Sequence, residues 1–380
     1  MIPLNQNLNS LKRSSIRHYT NMARETEDCA MLTIGEPDLD TPENIKAVAI
    51  AAIAGNQTHY APNQGTIALR QAVADYETAR GNETKPENVL ITIGACHALF
   101  TALLGILNPG EEVIVPTPGF LLYDSIATVA GAKTVPLDIS KTGFQITKEA
   151  LSACITEKTK AIIINSPCNP TGTVFSRESL ENVKQAILGK PVFLIVDNVY
   201  NQLSFTDCPD LSLDDALKAQ TILCQSFSKP WAMTGWRVGY LTCPDYVMDR
   251  LLLLSASEIT AVPTFIQDAA VEALKTDPAP MREIYRKRRD YVCRRLDEMG
   301  LNYPKPEGAF YVFVDISRFG LNSEEFCTRM IREGKLAVVP GSCFGAEGYI
   351  RLSYCYSDAE LQRGLDRLEA FISMLEGGKT

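Results

Sequence analysis

Two stretches of the sequence, AIIINSPCNPTG at residues 161–172 and VFLIVDNVY at residues 192–200, decide the fold. Each begins with four or five apolar residues in a row and then passes directly into polar and turn-forming residues. A continuous apolar run without strict alternation is typical of a strand that is buried on both faces of a parallel sheet. Both stretches therefore predict buried strands of an α/β domain.

Other runs along the middle of the chain have the same apolar, β-branched character: residues 89–93, 112–115, 221–224 and 238–242. Between the runs lie stretches with the helical spacing of apolar residues: residues 96–107, 177–188 and 214–219. Strands that alternate with helices form a mostly parallel sheet that the helices cover on both faces. The sequence thus predicts the α/β class, with a large domain built on a doubly wound sheet.

The character of the sequence changes after Pro263. The elements predicted there are a long helical region, two short strands and a closing helix: residues 265–299, 309–314 and 336–339, and the segment from Asp358. This pattern indicates a smaller α+β domain. We therefore assign residues 47–285 to the large domain, and residues 1–46 together with residues 286–380 to the small domain.

The composition restricts the classes of function. The chain of 380 residues is 46% hydrophobic and 22% charged, which is close to the globular average. Its charge of 37 − 45 = −8 argues against a general binder of nucleic acids or anionic membranes. No apolar run approaches the roughly 18 residues of a membrane span, and the N-terminus lacks the apolar core of a signal peptide. The 11 cysteines include no C-x-x-C pair, so we expect reduced thiols and a cytoplasmic protein.

The most informative feature is where polar residues stand relative to the predicted strands. Five of the apolar runs end in polar, glycine or proline residues, among them Asp197 after residues 192–196 and Lys229 after residues 221–224. Ligands of open parallel sheets bind beyond the carboxyl ends of the strands. The strand ends therefore predict a single site. No set of His, Cys and Glu residues accompanies Asp197, so no metal is predicted.

Three of these strand ends suit a planar, anionic ligand, although each also has an ordinary structural explanation. Gly94-Ala95-Cys96 opens a helix whose free N–H groups favour an anion such as phosphate, but a tight strand-to-helix turn also needs small residues. Phe120 is either a core aromatic or a stacking surface. Asp197 follows a strongly apolar strand, and a buried carboxylate needs a cationic or hydrogen-bonding partner, which a protonated heterocyclic nitrogen would supply.

Lys229 is the candidate nucleophile. It precedes Pro230, which disfavours a helix and places the lysine in a loop at the edge of the sheet. A lone lysine is usually a surface residue, but Ser226 and Ser228 flank this one and Arg237 follows it. Two hydroxyl groups and an arginine around a lysine resemble a phosphate cradle that holds an amine nucleophile.

The segments around these residues resemble the class I/II aminotransferases, which are pyridoxal-phosphate enzymes of fold type I. The most specific segment is SFSKPWAMTGWRVG at residues 226–239. The other matching segments follow in the order of the family: GEPD at 35–38, YAP at 60–62, NSPCNPTG at 165–172, DNVY at 197–200, PEGAFY at 306–311, VPG at 339–341 and RLS at 351–353. The overall character is nearest to the aromatic and N-acetyl-diaminopimelate aminotransferases.

The resemblance implies roles for the residues around the reacting atoms. Lys229 would hold pyridoxal 5′-phosphate as a Schiff base and would move a proton between the substrate α-carbon and the cofactor. Asp197 would pair with the ring nitrogen, and Phe120 would stack on the ring. Tyr200 and Asn169 would bind the 3-oxygen of the ring. In such a site the cofactor stabilises the carbanion, and the protein supplies orientation and electrostatics.

The resemblance also implies residues that hold the two anionic groups. The cofactor phosphate would be bound by the backbone N–H groups of Ala95 and Cys96 and by the side chains of Ser226, Ser228 and Arg237. Tyr60 would reach the phosphate of the partner subunit, which implies a homodimer with shared active sites. The substrate α-carboxylate would be bound by Arg351, Asn169 and the backbone of Gly35.

The implied reaction is transamination, in which an L-amino acid passes its amino group to a 2-oxo acid by a ping-pong mechanism through pyridoxamine phosphate. One alternative is a cystathionine-type C–S β-lyase on the same fold, and another is an effector-binding domain of a transcriptional regulator. The segments at residues 169–172 and 233–237 favour the aminotransferases. A regulator would carry a DNA-binding domain, and the chain before Gly35 is too short for one.

Three positions depart from the family or stay ambiguous. Asn198 stands where the family commonly has glutamate, and we expect little effect from the change. Cys96 stands where a dicarboxylate-preferring subgroup has lysine, which weakens the case for aspartate as the donor. His97 either contacts the substrate or lies in the helix that follows the phosphate turn.

Overall fold

The structure, a computed structural model, describes residue 2, residues 5–11 and residues 15–377. The α-helices are, in chain order, α1 Ser15–Arg24, α2 Glu43–Ala54, α3 Ile67–Ala79, α4 Gly94–Ile106, α5 Leu122–Val129, α6 Lys148–Cys154, α7 Arg177–Ile187, α8 Asp245–Ile259, α9 Thr264–Lys275, α10 Ala279–Glu298, α11 Ser323–Arg332 and α12 Asp358–Gly377. The strands are β1 Ala30–Met31, β2 Val89–Thr92, β3 Glu112–Thr117, β4 Lys133–Asp138, β5 Thr159–Asn165, β6 Phe193–Asp197, β7 Thr221–Ser226, β8 Gly239–Thr242, β9 Tyr311–Asp315, β10 Leu336–Ala337, β11 Val339–Pro340 and β12 Tyr349–Ser353. None of the helices in these residues combines the length and the apolar character that a membrane crossing requires.

Within the described residues, seven strands form the large sheet in the order β2-β8-β7-β6-β5-β3-β4. Strand β8 runs antiparallel to both of its neighbours, and the other neighbouring pairs are parallel. The register places Asn165 opposite Asp197 and Asp197 opposite Cys224, so β5, β6 and β7 end side by side. The predicted mostly parallel α/β sheet is confirmed, and its carboxyl edge gathers the polar strand ends.

Helices cover both faces of this sheet, and β5 shows why its sequence does not alternate. Ile162 and Ile164 pack into the same core as residues of α7, whereas Ile163 packs into a second core with residues of α4. All three isoleucines are almost completely buried. Burying each of these side chains stabilises the fold by about 2 kcal/mol, so both faces of the strand select apolar residues.

The remaining strands lie outside the large sheet. Strands β11, β12 and β9 form an antiparallel sheet in that order, and β1 pairs in parallel with β10. Ala30 lies opposite Leu336, so the segment before α2 is joined to the C-terminal part of the chain. This pairing carries the N-terminal segment past the carboxyl edge of the large sheet. The domain boundaries after residues 46 and 285 stay a prediction.

The structure corrects two predicted helices. Residues 214–219 are not an α-helix, and short 3₁₀ turns at Leu211–Leu213 and Lys218–Gln220 stand there instead. The carboxylates of Asp210 and Asp214 accept hydrogen bonds from backbone N–H groups two residues ahead, which favours turns over a helix. The helical region at residues 265–299 is two helices, α9 and α10, because Pro278 lacks the N–H group that would continue the first one.

Strand β4 was not predicted from the sequence. It is the edge strand of the large sheet next to β3, and its sequence KTVPLD is partly exposed. Its proline is tolerated at the edge, where one side of the strand carries no ladder of hydrogen bonds. The apolar run that identifies the central strands is therefore missing from this one.

Candidate active site

A pocket lies at the carboxyl edge of the large sheet, where the start of α4 and the N-terminal segment close over the strand ends. It is lined by all but one of the residues that the sequence predicted for the site. These residues are Gly35, Ala95, Cys96, Phe120, Asn169, Asp197, Tyr200, Ser226, Ser228, Lys229, Arg237 and Arg351. The sequence-derived set thus comes together in space, although its members are spread over more than three hundred positions.

Lys229 follows β7 and reaches into this pocket. Its Nζ donates a hydrogen bond to the carbonyl oxygen of Gly35 at 2.5 Å and lies 5.8 Å from the centre of the Phe310 ring. Burial lowers the pKa of Lys229, because a low-dielectric environment disfavours the ammonium form. More of the amine is therefore neutral near pH 7 than in an exposed lysine, as a nucleophile requires.

Asp197 ends β6, and only 4% of the residue is exposed. The hydroxyl of Tyr123 donates to Oδ2 at 2.6 Å, and the backbone N–H of Val199 donates to Oδ1 at 3.3 Å. Burial raises the pKa of Asp197 to about 6, and the two hydrogen bonds oppose that rise. A buried carboxylate at the wall of a pocket suits a cationic partner, such as the protonated ring nitrogen of a planar ligand.

Two tyrosines of the pocket received no role from the sequence. Tyr123 on α5 holds Asp197, and the Tyr311 hydroxyl lies 2.8 Å from that of Tyr200. Burial raises the pKa of both members of this second pair, so both stay neutral. A Cβ atom at Gly35 would lie 1.8 Å from the Tyr311 oxygen, so only glycine allows the N-terminal segment to pass this close. The sequence signal for Tyr123 was its place three residues after the predicted stacking residue Phe120, beyond the end of β3.

Arg351 lies on β12 and is 1% exposed. Its Nη1 donates to the side-chain oxygen of Asn169 at 2.8 Å, and its Nη2 donates to the carbonyl of Thr33. The guanidinium lies 4.5 Å from the centre of the Tyr311 ring and 4.8 Å from that of Phe344. Among the described residues, its Nε is buried without a hydrogen-bond partner. A buried guanidinium at the wall of a pocket fits a carboxylate, whose two oxygens match its planar fork.

The predicted phosphate ligands surround the start of α4. Ser226 Oγ donates to Ser228 Oγ at 2.9 Å, and the backbone N–H of Ser228 donates back to Ser226 Oγ at 3.1 Å. Arg237 holds the carbonyl of Thr234 at 2.9 Å, and its guanidinium packs against Gly94. Hydroxyl groups, a guanidinium and a helix N-terminus are the donors that proteins use for phosphate.

Tyr60 is the predicted residue that does not join this pocket. It is 91% exposed and lies in a surface depression between residues 58–61 and residues 261–265, the second of which lead into the start of α9. Thr264 at the start of α9 donates to the carbonyl of His59 at 2.7 Å, so the two segments are tied together. The ring of Tyr60 therefore points to solvent in this chain.

Asn198, where the family commonly has glutamate, has a local explanation. Its side-chain amide donates to Oδ2 of Asp210 at 2.6 Å, and Arg80 donates to the same oxygen at 3.0 Å. Arg80 also pairs with the fully buried Glu77 at 2.9 Å. A glutamate at position 198 would place a further carboxylate next to Asp210, so the amide suits this environment.

The comparisons with known proteins agree with this geometry. The sequence profile of the family described as aminotransferase class I and II matches residues 27–368. A probable N-acetyl-LL-diaminopimelate aminotransferase of Bacillus subtilis is 39% identical over 376 residues, covering 97% of this chain and 95% of that protein. Aromatic-amino-acid aminotransferase 2 of Thermococcus litoralis is 38% identical over 378 residues, covering 96% of this chain and 97% of that protein.

The fold leads to the same family. The structure of aspartate aminotransferase from Thermus thermophilus with maleate matches with a TM-score of 0.93 at 34% identity, covering 97% of this chain and 100% of that one. The predicted resemblance to the aromatic and N-acetyl-diaminopimelate enzymes is confirmed. The chain belongs to the aminotransferase class I and II family.

Proposed function

We propose that this aminotransferase binds pyridoxal 5′-phosphate in the strand-end pocket and moves the amino group of an L-amino acid to a 2-oxo acid by a ping-pong mechanism. The observation that carries the proposal is that Lys229, Asp197 and Arg351 line one pocket, as an amine of lowered pKa, a buried carboxylate and a buried guanidinium. When bound, the cofactor supplies an electron-accepting ring that stabilises charge on the substrate α-carbon and carries the amino group between the half-reactions.

The residues of the pocket fit this cofactor chemically. The pKa of Asp197 is about 6, so the carboxylate is ionised at neutral pH and would neutralise a protonated ring nitrogen. The phosphate would be held by Ser226, Ser228, Arg237 and the N–H groups of Ala95 and Cys96. Phe120 would cover a face of the ring, and Tyr200 and Asn169 would donate hydrogen bonds to its 3-oxygen.

Lys229 is the residue that we assign to covalent attachment and to proton transfer. Its amine is partly buried and is held against the carbonyl of Gly35, which fixes the position of Nζ. A lowered pKa leaves the amine able to accept the α-proton at neutral pH and to return it to another carbon. We expect no other residue of the described pocket to replace it.

Arg351 and Asn169 are the residues that we assign to the substrate carboxylate. Arg351 is already oriented by Asn169 and by the carbonyl of Thr33, so little side-chain entropy is lost when it binds a carboxylate. Its guanidinium lines the pocket and would bind the two carboxylate oxygens through its planar fork. This arrangement would fix the α-carbon of the substrate relative to Lys229.

We infer that the enzyme is a homodimer and that Tyr60 reaches the phosphate site of the partner subunit. Three isoleucines on either side of Tyr60 in the sequence are exposed: Ile50 and Ile53 on α2 by 67% and 51%, and Ile67 at the start of α3 by 59%. Exposed apolar groups of this size commonly mark an interface between proteins. Tyr60 lies between these isoleucines in the sequence and is 91% exposed, as a residue that acts in another subunit would be.

The proposed substrates are amino acids and 2-oxo acids as a class. The named relatives act on N-acetyl-LL-diaminopimelate, aromatic amino acids and aspartate, so their names span several donor types.

Buried cysteines such as Cys168 and Cys224 are in no disulfide, which supports a cytoplasmic location.

Absorbance of the purified protein loaded with pyridoxal 5′-phosphate tests the proposed function. Mixing with a panel of L-amino acids is expected to convert the visible band to near-ultraviolet absorption for at least one donor, and a 2-oxo acid is expected to restore the band. Release of pyruvate and ammonia from a sulfur amino acid without such cycling would favour the β-lyase instead. Failure to bind the cofactor would reject the proposal.

A further inference from the structure

His97 lies in the first turns of α4, beside the pocket, and its ring is held at both nitrogens. Its Nδ1 is 3.1 Å from the backbone nitrogen of Ile93, and its Nε2 is 2.9 Å from Oε2 of Glu258 on α8. Only 10% of the His97 side chain is exposed. Of the two possibilities that the sequence left open, the structure favours a role within the helix and its turn over contact with the substrate.

The hydrogen bonds determine which ring nitrogen carries the proton. A backbone N–H can only donate, so Nδ1 of His97 must present its lone pair to Ile93. The proton of the neutral ring therefore lies on Nε2 and is donated to Glu258, whose Oε2 also accepts from Thr101 at 2.7 Å. Burial lowers the pKa of His97, which agrees with a neutral ring.

The backbone group that His97 binds belongs to Ile93, the residue at which the chain passes from strand β2 into helix α4. The N–H of Ile93 donates to His97, and its carbonyl accepts from Nη2 of Arg237 at 3.4 Å. The next residue, Gly94, has φ +70°, and a Cβ atom there would lie 2.8 Å from the same Nη2 atom. Because both polar atoms of Ile93 are engaged, the direction of the N–H groups that follow is fixed.

We propose that His97, supported by Glu258, is a positioning residue for phosphate binding: it fixes the turn from which the N–H groups of Ala95 and Cys96 point into the pocket. The inference rests on the proposed function, because it assumes that the cofactor phosphate binds at this turn. His97 touches neither the phosphate nor the substrate in this account. It acts through the backbone of Ile93.

The start of α4 explains why such a residue is needed. Ile93 is the N-cap of this helix and supplies no side-chain cap. His97 reaches back from within the helix to the N–H of the N-cap residue, as the glutamate of a capping box does. Without this acceptor the N–H of Ile93 is left unpaired, and the turn is free to rotate away from the orientation that suits phosphate.

Two substitutions at one position separate the hydrogen bond from the packing. His97→Phe keeps an aromatic ring of similar size but removes both nitrogens, whereas His97→Gln retains an acceptor for Ile93 and a donor for Glu258. The measurement is the dissociation constant of the cofactor-free protein for pyridoxal 5′-phosphate and for pyridoxal, which lacks the phosphate. We expect His97→Phe to weaken pyridoxal 5′-phosphate about tenfold and pyridoxal less than about twofold, and His97→Gln to stay within about twofold of wild type for both.

The exposed His18 provides a matched control, and His18→Phe is expected to leave both constants unchanged. Should His97→Phe not fold, as judged by thermal unfolding of the cofactor-free protein, Glu258→Leu releases the ring from the other side and is expected to show the same selective loss, of about threefold. Equal weakening of both ligands in the folded variant, or no weakening, would overturn the inference. Absence of binding by the wild-type protein would instead reject the proposed function, so the two failures are distinguishable.

Discussion

The strand-end pocket and the loop that carries Tyr60 differ in how their polar groups are satisfied. Asp197 and Arg351 are almost completely buried, and hydrogen bonds within the chain orient both of them. Tyr60 is 91% exposed and lies outside the pocket. The side chains of the pocket are therefore held in place before a ligand binds. Tyr60 is instead free to contact another molecule.

This difference separates two kinds of functional residue. The groups that we propose to handle the reacting atoms lie in a low-dielectric environment, and burial shifts the pKa values of Lys229 and Asp197. A residue that completes the site of a partner must instead be presented at the surface. We therefore expect substitutions in the pocket to act within one chain, and substitutions at Tyr60 to act between chains.

The largest effect is expected from Lys229→Ala. Because this variant lacks the amine that we assign to attachment and proton transfer, kcat is expected to fall by about 10⁴-fold or more, while the cofactor is still bound noncovalently. Steady-state turnover with the best donor checks this. Lys190→Ala, at an exposed position, is the control and should match wild type. Turnover near the wild-type rate in Lys229→Ala would end the mechanism proposed here.

Arg351→Lys is expected to have the next largest effect. Lysine keeps the positive charge but loses the planar fork, so KM for the amino acid is expected to rise about 100-fold. The dissociation constant of the cofactor should change by less than about threefold, since Arg351 is assigned to the substrate. Steady-state kinetics and cofactor titration give both values, with the exposed Arg177→Lys as the control. An unchanged KM would show that another group binds the carboxylate.

Asp197→Asn is expected to raise the stability of the cofactor-free protein while weakening cofactor binding. The pKa of Asp197 rises from its usual 3.8 to about 6 on folding, so its favourable contribution is complete below about pH 4 and is lost as the pH rises through about 6. Two pKa units correspond to about 3 kcal/mol, which is the largest gain that asparagine can give at pH 7.

Urea unfolding of the cofactor-free protein at pH 4.5 and pH 7.5 measures this gain. We expect the free energy of unfolding of Asp197→Asn to exceed that of wild type by about 1–3 kcal/mol at the higher pH and by less at the lower pH. Asp207→Asn, at a carboxylate that is 74% exposed, is the control. A difference that does not depend on pH would show that ionisation of Asp197 is not the cause.

Tyr60→Ala is expected to have the smallest effect and to act across subunits. Loss of one hydroxyl donor is expected to weaken cofactor binding about tenfold, with little change in the free energy of unfolding, because the position is exposed.

A hybrid dimer of Tyr60→Ala and Lys229→Ala chains makes the decisive comparison. If Tyr60 serves the partner, the hybrid contains one site with both residues intact, and it should regain up to about half of the wild-type activity. Activity no higher than that of Tyr60→Ala alone would place Tyr60 in its own site or in neither.

The sequence predicted those parts of the site that follow from local order along the chain. Asp197 and Lys229 were predicted because the first ends a buried strand and the second follows one closely, and parallel strands end at one edge. Arg351 is different, since it lies 182 positions from its partner Asn169 and on a strand outside the large sheet. Only the family resemblance indicated it, because neither spacing nor periodicity relates two such distant segments.

The errors and omissions have two origins, local hydrogen bonds from side chains to the backbone and contacts between distant segments. Residues 214–219 have helical spacing, but carboxylates of nearby aspartates bind the backbone and form turns instead. The pairing of His97 with Glu258 joins residues 161 positions apart on two helices, and no sequence pattern marks it. Tyr123 could have been predicted from the sequence as a donor to Asp197, since it stands only three residues after Phe120, beyond the end of β3.

The most direct test of the central claim is to locate the covalent attachment of the cofactor. The purified protein is loaded with pyridoxal 5′-phosphate, treated with borohydride to make the linkage permanent, digested and analysed by mass spectrometry. We expect the phosphopyridoxyl group on Lys229, and we expect the Lys229→Ala protein to be unlabelled under the same conditions. Labelling of a different lysine, or no labelling of the wild-type protein, would contradict the central claim.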